Sequence, residues 1–176
     1  MRKIVAGLYI TLDGVVESPE KWHFPYYDAD MARSVETLMG RCDAMLLGRR
    51  TYEEFAAHWP RQDPADPLAA LMNERTKYVV SATLTDPAWQ NTTAVTLQEL
   101  AALREGPGGD LGISGSPTLV ASLLSEGLLD ELHLLVHPLV GGTGKRLFEH
   151  GDHIPLKLTA SQTFATGVLD LTYERA

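Results

Sequence analysis

The clearest chemical signal in this chain is a turn suited to binding an anion, formed by Gly48, Arg49 and Thr51. It follows the apolar segment 44–47 and precedes a segment with helical spacing. Backbone N–H groups at a helix start carry partial positive charge, and Gly48 lets a ligand approach them closely. Arg49 adds a fixed cation, so a phosphate suits this turn. The alternative, that these residues only make the turn and solvate the surface, stays open.

A second turn of the same kind contains four candidate binding residues, Ser114, Gly115, Ser116 and Thr118. It also lies between a strand pattern and a helical pattern, so two helix starts could address two phosphate groups. A dinucleotide would satisfy both. Neither turn has the Gly-x-Gly-x-x-Gly fingerprint or the P-loop Lys-Ser/Thr, which argues against a Rossmann dehydrogenase and a nucleoside triphosphatase.

One acidic and two aromatic residues are candidates for contact with a substrate. Asp30, near the start of a predicted helix, could orient a substrate or relay a proton, or it could simply favour the helix N-terminus. Trp22 and Phe24 lie in a long loop, where they could stack on a flat heterocycle. Alternatively, they could pack the loop against the protein or form a dimer contact.

Other common site chemistries find little support in the sequence. The six histidines form no set with metal-ligand spacing, so no metal is expected. No serine stands in a Gly-x-Ser-x-Gly elbow, which argues against a hydrolase. The glycine-rich segment 141–146 contains two adjacent cations and could hold a substrate phosphate, or it could be a solvated loop.

Strand and helix patterns alternate along most of the chain. Helical patterns cover 28–41, 51–57, 68–74, 97–104 and 118–126, and strand patterns cover 4–11, 44–47, 78–80, 92–95, 111–113, 130–138, 156–164 and 168–173. The last three strands have no helix between them. This order predicts a three-layer α/β fold with helices on both faces of a mostly parallel sheet that ends in an antiparallel hairpin. Both glycine turns would then meet at the carboxyl ends of the strands.

The bulk composition predicts a cytoplasmic, single-domain protein spanning 1–176. The 176 residues are 44% hydrophobic and include one cysteine, Cys42, which cannot form an internal disulfide. The net charge of −8 opposes nonspecific binding to nucleic acid or an anionic membrane. No apolar segment approaches the roughly 20 residues that span a bilayer, so no membrane partner is expected. The two glycine turns instead predict a small-molecule partner.

Six short segments, taken in order, resemble the dihydrofolate reductase-like superfamily, and most closely the reductase domain of bacterial riboflavin biosynthesis and its stand-alone relatives. These segments are Ile10–Gly14, Leu47–Tyr52, Val80–Ser81, Ile113–Leu119, Leu129–Leu132 and Pro138–Phe148. The resemblance covers nearly the whole chain. It implies the dihydrofolate reductase-like fold, a homodimer, and NADPH as the cofactor.

The resemblance also implies roles for individual residues. The turn at Gly48, Arg49 and Thr51 would hold cofactor phosphates, and Ser81 would lie beside the adenosine 2′-phosphate. The second turn would lie against the pyrophosphate and the nicotinamide half. Dihydrofolate reductases carry a substrate-binding carboxylate on the first helix, and Asp30 lies near that place.

The chain departs from the riboflavin-pathway reductases at three places. Gly7 stands where they carry a lysine, Glu53–Phe55 where they carry Ala-Asp-Asp-Pro, and Ser114 where they carry a glutamate. The resemblance therefore predicts an NADPH-dependent reductase of a small, flat pterin- or pyrimidine-like substrate, of the 5-amino-6-(5-phosphoribosylamino)uracil reductase type, without fixing the substrate. The alternatives are a catalytically inactive nucleotide-binding or sensing module and a heterocycle binder without a redox step.

Overall fold

The computed structural model describes residues 1–151 and 153–176. Within this part of the chain, eight strands and five α-helices are present. The strands are β1 (Ile4–Thr11), β2 (Cys42–Gly48), β3 (Thr76–Val80), β4 (Thr92–Val95), β5 (Asp110–Ser114), β6 (Glu131–His137), β7 (Leu156–Thr163) and β8 (Leu169–Arg175). The helices are α1 (Ala29–Gly40), α2 (Arg49–His58), α3 (Pro67–Glu74), α4 (Leu97–Arg104) and α5 (Pro117–Ser125).

All eight strands belong to one sheet, in the order β4-β3-β2-β5-β1-β6-β8-β7. The six strands from β4 to β6 in this order run parallel, whereas β8 pairs antiparallel with both β6 and β7. The predicted fold class, a mostly parallel sheet that ends in an antiparallel hairpin, is confirmed. In residues 1–151 and 153–176, every helical connection precedes β6, and a hairpin needs none.

The central strand β1 packs helices on both of its faces. Ile4 and Ala6 belong to one buried cluster with Val120 of α5, and Val5 belongs to another with Leu38 of α1. Burial on both faces explains why the sequence of β1 is almost continuously apolar. The result is the three-layer arrangement expected from the sequence.

Helix starts follow local capping chemistry. Asp28 caps α1 by accepting a hydrogen bond from the N–H of Met31 at 2.9 Å, and Thr96 and Glu99 form the capping box of α4. Helix α2 begins at Arg49, two residues before the predicted start, because the extended backbone of Gly48 (φ −74°, ψ 160°) acts as its N-cap.

No helix in residues 1–151 and 153–176 has the length and apolar character needed to cross a bilayer.

A fully buried lysine, Lys77 of β3, joins α3 to the sheet. Its Nζ donates hydrogen bonds to the carbonyls of Met72, Asn73 and Arg75 at 2.7–3.1 Å and lies 4.2 Å from the centroid of a ring of Trp89. Burial lowers the pKa of Lys77 to about 8, whereas the three carbonyls and the indole face favour the charged amine. Lys77 therefore satisfies backbone acceptors at the end of α3.

We expect Lys77→Met to lower the free energy of unfolding by about 2 kcal/mol, because it leaves buried carbonyls without a donor. Urea unfolding measures the change. Lys157→Met, on the exposed strand β7, is the matched control and should shift stability by less than about 0.5 kcal/mol. Equal effects of the two substitutions would contradict a capping role for Lys77.

Candidate functional site

A crevice of about 900 Å³ opens at the carboxyl ends of the central strands. One half lies between the starts of α2 and α5, and the other extends over the α1 face of β1, β6 and β8. Seven of the eight predicted cofactor-binding residues line it: Gly48, Arg49, Thr51, Ser114, Gly115, Ser116 and Thr118. The parallel sheet brings both glycine turns to one edge, as the sequence predicted.

A hydrogen bond joins the two turns directly. Ser116 Oγ accepts from the backbone N–H of Gly48 at 2.9 Å, so the N-cap side chain of α5 bonds across to the N-cap of α2. Gly115 and Ser116 both adopt left-handed backbone conformations, with φ values of 77° and 54°. Gly48 has no side chain that could cap α2, and within the described chain the side chain of Ser116 accepts no hydrogen bond from α5. The first amides of both helices are thus left to bind an anion.

Three cations stand at this half of the crevice, and one of them, Arg50, is exposed and pairs with Glu54 at 3.1 Å. Arg49, about half exposed, donates to Glu53 at 2.9 Å and to the hydroxyl of Thr83. The amine of Lys145 donates to the hydroxyl of Thr118, beside the second turn. All three pairs are exposed, so an incoming phosphate can displace the present partners of these cations at a small cost in free energy.

Ser81, the eighth predicted residue, lies beside the crevice. Its hydroxyl accepts hydrogen bonds from the N–H groups of Thr83 and Leu84 at 3.2 and 3.1 Å and so shapes the turn after β3. That turn presents Thr83 to Arg49. Ser81 is therefore linked to the first glycine turn through Thr83, which bonds both Ser81 and Arg49.

The predicted substrate residues are not in the lining of this crevice, although Asp30 lies in an adjoining depression that shares Ser34, His133 and Asp170 with it. Asp30, in the first turn of α1, accepts from Arg33 at 2.8 Å and lines a smaller depression of about 260 Å³. The Trp22 ring packs edge-on against His137, with centroids 5.1 Å apart, and Phe24 packs on His23 at 4.2 Å. Trp22 thus packs against β6 and the exposed Phe24 against its neighbour in the loop, and the loop lines the crevice through its segment 16–20 instead.

The loop that contains Trp22 and Phe24 includes one buried histidine, His23, and packs over a second, His137 of β6. His23 stacks on Tyr9 at 4.5 Å, and His137 is enclosed by the rings of Tyr9, Trp22 and Tyr26. Burial lowers the pKa of both histidines, which favours their neutral forms. Among the described residues, no group of three or more His, Cys, Asp or Glu side chains could hold a metal ion.

The glycine-rich loop after β6 is held by Asp13, whose carboxylate accepts from the N–H groups of Gly141 and Gly142 at 2.7 and 2.8 Å. The hydroxyl of Thr11 and these two amides lower the pKa of Asp13 well below its usual value. The amides that could have held a substrate phosphate therefore already bind a carboxylate. This geometry favours a structural role for the backbone of Gly141 and Gly142, whereas Lys145 of the same segment reaches the second glycine turn.

Sequence reasoning missed the polar residues of the other half of the crevice, Ser34, His133 and Asp170. The hydroxyl of Ser34 donates to Asp170 Oδ2 at 2.6 Å. His133 Nε2 lies 3.0 Å from Glu131, and Nδ1 lies 3.1 Å from the hydroxyl of Thr172. The pairing of β6 with β8 brings His133 and Asp170 together, and α1 packs over these strands and adds Ser34.

Comparisons with known proteins agree with this architecture. The uncharacterized protein YyaP of Bacillus subtilis (strain 168) is 30% identical over 179 residues, covering 98% of this chain and 94% of the relative. A protein of Shewanella sp. PV-4 assigned to riboflavin biosynthesis has a TM-score of 0.75 at 20% identity, covering 100% of this chain and 99% of that chain. Dihydrofolate reductase from Enterococcus faecalis, solved with NADP(H), has a TM-score of 0.63 at 19% identity, covering 98% and 96%.

These two structures establish the fold, and the expected dihydrofolate reductase-like architecture is confirmed. The sequence family described as the RibD C-terminal domain matches residues 2–169, which is nearly the whole chain. This protein therefore belongs to the RibD C-terminal domain family within the dihydrofolate reductase-like fold.

Proposed function

We propose that this protein is an NADPH-dependent reductase that transfers a hydride to a small, flat, pterin- or pyrimidine-like heterocycle. The observation that carries the proposal is the Gly48–Ser116 hydrogen bond, which joins two helix N-termini at one end of a single crevice. Two such termini suit the two phosphates of a dinucleotide. The Enterococcus faecalis reductase of the same fold was solved with NADP(H), which supports this choice of cofactor.

The residues present fit a phosphate-bearing cofactor. Backbone amides at the starts of α2 and α5, the hydroxyl of Thr118 and the amine of Lys145 can donate to a diphosphate. Arg49 and the turn shaped by Ser81 can receive the 2′-phosphate that distinguishes NADPH from NADH. When bound, NADPH supplies the hydride, and the protein supplies binding and orientation.

The crevice also has room for a second molecule. Its volume of about 900 Å³ is at the upper end of ordinary ligand pockets, which suits a nicotinamide with a flat ring beside it. The apolar walls formed by Leu38, Val35 and Leu135 would exclude water from the reacting atoms. The role of the protein is then to hold the two rings in contact.

We expect Arg49→Ala to weaken NADPH binding about tenfold, or roughly 1.4 kcal/mol. The loss is at the low end for a charged hydrogen bond, because Arg49 must release Glu53 to bind phosphate. NADH binding should change much less, since NADH lacks the 2′-phosphate. Fluorescence titration with both nucleotides measures the difference.

Arg61→Ala is the control for this experiment, because Arg61 carries the same charge beyond the C-terminal end of α2. It should leave the affinity for NADPH unchanged. A similar loss for both substitutions would indicate a general charge effect, and an unchanged affinity in Arg49→Ala would reject its phosphate role.

Turnover separates a reductase from an inactive nucleotide-binding module. NADPH oxidation should be followed by its absorbance with dihydrofolate, dihydropterin and aminopyrimidine candidates. Substrate-dependent oxidation supports the reductase, whereas NADPH binding without oxidation across the whole panel favours the sensing module. Failure to bind NADPH at all would overturn the proposal.

A further inference from the structure

A fourth polar side chain lines the α1 side of the crevice, that of Tyr9 in β1. Gly7, two residues earlier on the same face of β1, pairs with Ser114 at the second glycine turn. On the opposite side of β1, Tyr9 pairs with Leu135 of β6, which lines the apolar half. Tyr9 therefore lies where the glycine-turn half and the apolar half of the crevice meet.

The ring of Tyr9 is held in one orientation by two buried histidines. His23 stacks on it with ring centroids 4.5 Å apart and ring planes at 12°, and His137 meets it edge-on at 5.7 Å. Tyr9 also packs against the buried cluster that contains Met31 and Leu135. These contacts fix the ring and, with it, the position of the hydroxyl.

The hydroxyl of Tyr9 is available to a ligand. Within residues 1–151 and 153–176 it makes no hydrogen bond, and it is not completely buried. Burial of the side chain, with a smaller contribution from Tyr27, raises the pKa of Tyr9 above its ordinary value. The phenol therefore keeps its proton at neutral pH and can donate it.

The other polar side chains on this side of the crevice already have partners. The hydroxyl of Ser34 donates to Asp170 at 2.6 Å, and Asp170 acts as the acceptor. Both ring nitrogens of His133 lie within hydrogen-bond distance of partners of their own. Among the described residues of β1, α1, β6 and β8 that line the crevice, Tyr9 is thus the polar side chain whose donor is unused.

We propose that Tyr9 is a catalytic residue that donates a proton to the heterocycle as it is reduced. This inference deepens the proposed function and rests on it for the source of the hydride. The substrate class is a flat ring with a conjugated C=N bond, because reduction of such a bond places an electron pair on nitrogen, which then needs a proton.

The step balances in atoms and electrons. The hydride brings its electron pair to the carbon and forms a C–H bond, and the π pair of the C=N bond moves to the nitrogen. The nitrogen forms an N–H bond with the proton of Tyr9 Oη, which keeps the electron pair of the broken O–H bond. Water then returns a proton to the phenolate, so each turnover consumes one hydride and one proton.

Tyr9→Phe tests this role, because phenylalanine keeps the ring that stacks on His23 and removes only the hydroxyl. The probe is 7,8-dihydropterin, whose pyrazine ring contains such a C=N bond, and NADPH oxidation is followed by its absorbance. We expect kcat to fall about 100-fold, the low end for loss of a positioned acid. The affinity for NADPH and the thermal unfolding midpoint should be unchanged. An unchanged kcat would overturn the proposal.

Binding gives a second readout that needs no turnover. Calorimetric titration of 7,8-dihydropterin without NADPH should show about fivefold weaker binding by Tyr9→Phe, as for loss of one hydrogen bond of roughly 1 kcal/mol. Equal affinity in wild type and variant would mean that the hydroxyl does not contact the ring, and it would contradict the proposal.

Tyr27→Phe is the matched control. Tyr27 meets the same His23 edge-on at 6.2 Å, but it is not in the lining of the crevice. This substitution should leave kcat and probe binding unchanged. A similar loss in Tyr27→Phe and Tyr9→Phe would assign the effect to packing around His23 and reject proton donation.

The pH dependence of kcat separates proton donation from a structural role. In wild type Tyr9 is protonated throughout the neutral range, so kcat should be constant there and should fall only at alkaline pH, where the phenol ionises. In Tyr9→Phe the proton must come from the solvent, so kcat should rise steadily as the pH falls. Parallel pH profiles of the two proteins would overturn the assignment.

The two proposals fail differently. Turnover that does not depend on Tyr9 would overturn its catalytic role and leave the reductase proposal standing. Reduction only of candidates without a C=N bond would overturn the substrate class. Probe binding without any NADPH oxidation would overturn the reductase and, with it, proton donation by Tyr9.

Discussion

Replacing Glu131 with glutamine is expected to lower the free energy of unfolding by about 3 kcal/mol, as for loss of one partner from a buried ion pair. Glu131 is only 6% exposed and accepts from Lys3 at 2.8 Å, Arg41 at 2.8 Å and His133 at 3.0 Å. The amide of glutamine removes the charge that compensates these donors and turns one acceptor oxygen into a donor. Urea unfolding at neutral pH measures the loss.

The same carboxylate gives the effect a definite pH dependence. Burial alone would raise the pKa of Glu131, but hydrogen bonds from Arg41, Lys3 and His133 outweigh it and lower the pKa from 4.5 to about 2. A lowered pKa in the folded state stabilises the protein above the unfolded value, and this contribution is lost as the pH falls from about 4.5 towards 2. The difference between wild type and Glu131→Gln should therefore shrink over that range.

Glu126→Gln serves as the matched control, since Glu126 follows α5 on the exposed surface. Its effect should stay below about 0.5 kcal/mol at every pH. A pH-independent difference in Glu131→Gln would mean that the lost stability comes from packing and not from charge.

The order of the elements was predictable because each has a local signal. The continuous apolar run of β1 marks a strand buried on both faces, and the Thr96–Glu99 capping box marks the start of α4. The absence of a helical pattern between the last three strands predicted the hairpin. Boundaries were less accurate, as at α2, because they depend on backbone conformation at single residues such as Gly48.

The cofactor half of the crevice was predictable for the same reason. Each glycine turn is continuous in sequence, and a parallel sheet places both at one edge. The other half depends on contacts between residues far apart in the chain. Asp170 meets Ser34 across 136 positions, and its place in an alternating strand gave no sign that it faces a crevice.

The choice of Asp30 shows the same limit. A first-turn acid was a reasonable candidate, but the sequence could not show whether its side chain would face the crevice or Arg33. The side chains of Trp22 and Phe24 could not be oriented either, because their loop has no regular periodicity. The homodimer and the assignment to one domain both stay predictions.

The strongest effect on cofactor binding is expected from Gly115→Val, which should weaken NADPH binding about 100-fold, or roughly 2.7 kcal/mol. Gly115 has φ 77°, a conformation that a β-branched residue strongly disfavours. Its Cβ would also lie 3.6 Å from Thr51 Cγ2, so the added side chain would stand where the two turns meet. Fluorescence titration with NADPH measures the loss.

A substitution that strains the backbone can also act by unfolding the protein, and Gly142→Val separates the two causes. Gly142 has nearly the same φ, 75°, but the space around its Cβ is empty to 4 Å, and it lies in the loop held by Asp13. Both variants should therefore lose similar stability, about 1 to 2 kcal/mol, while only Gly115→Val loses NADPH. Equal losses of binding would mean that strain alone is responsible. Full binding by Gly115→Val would place the diphosphate away from this turn and remove the main support for the proposed cofactor site.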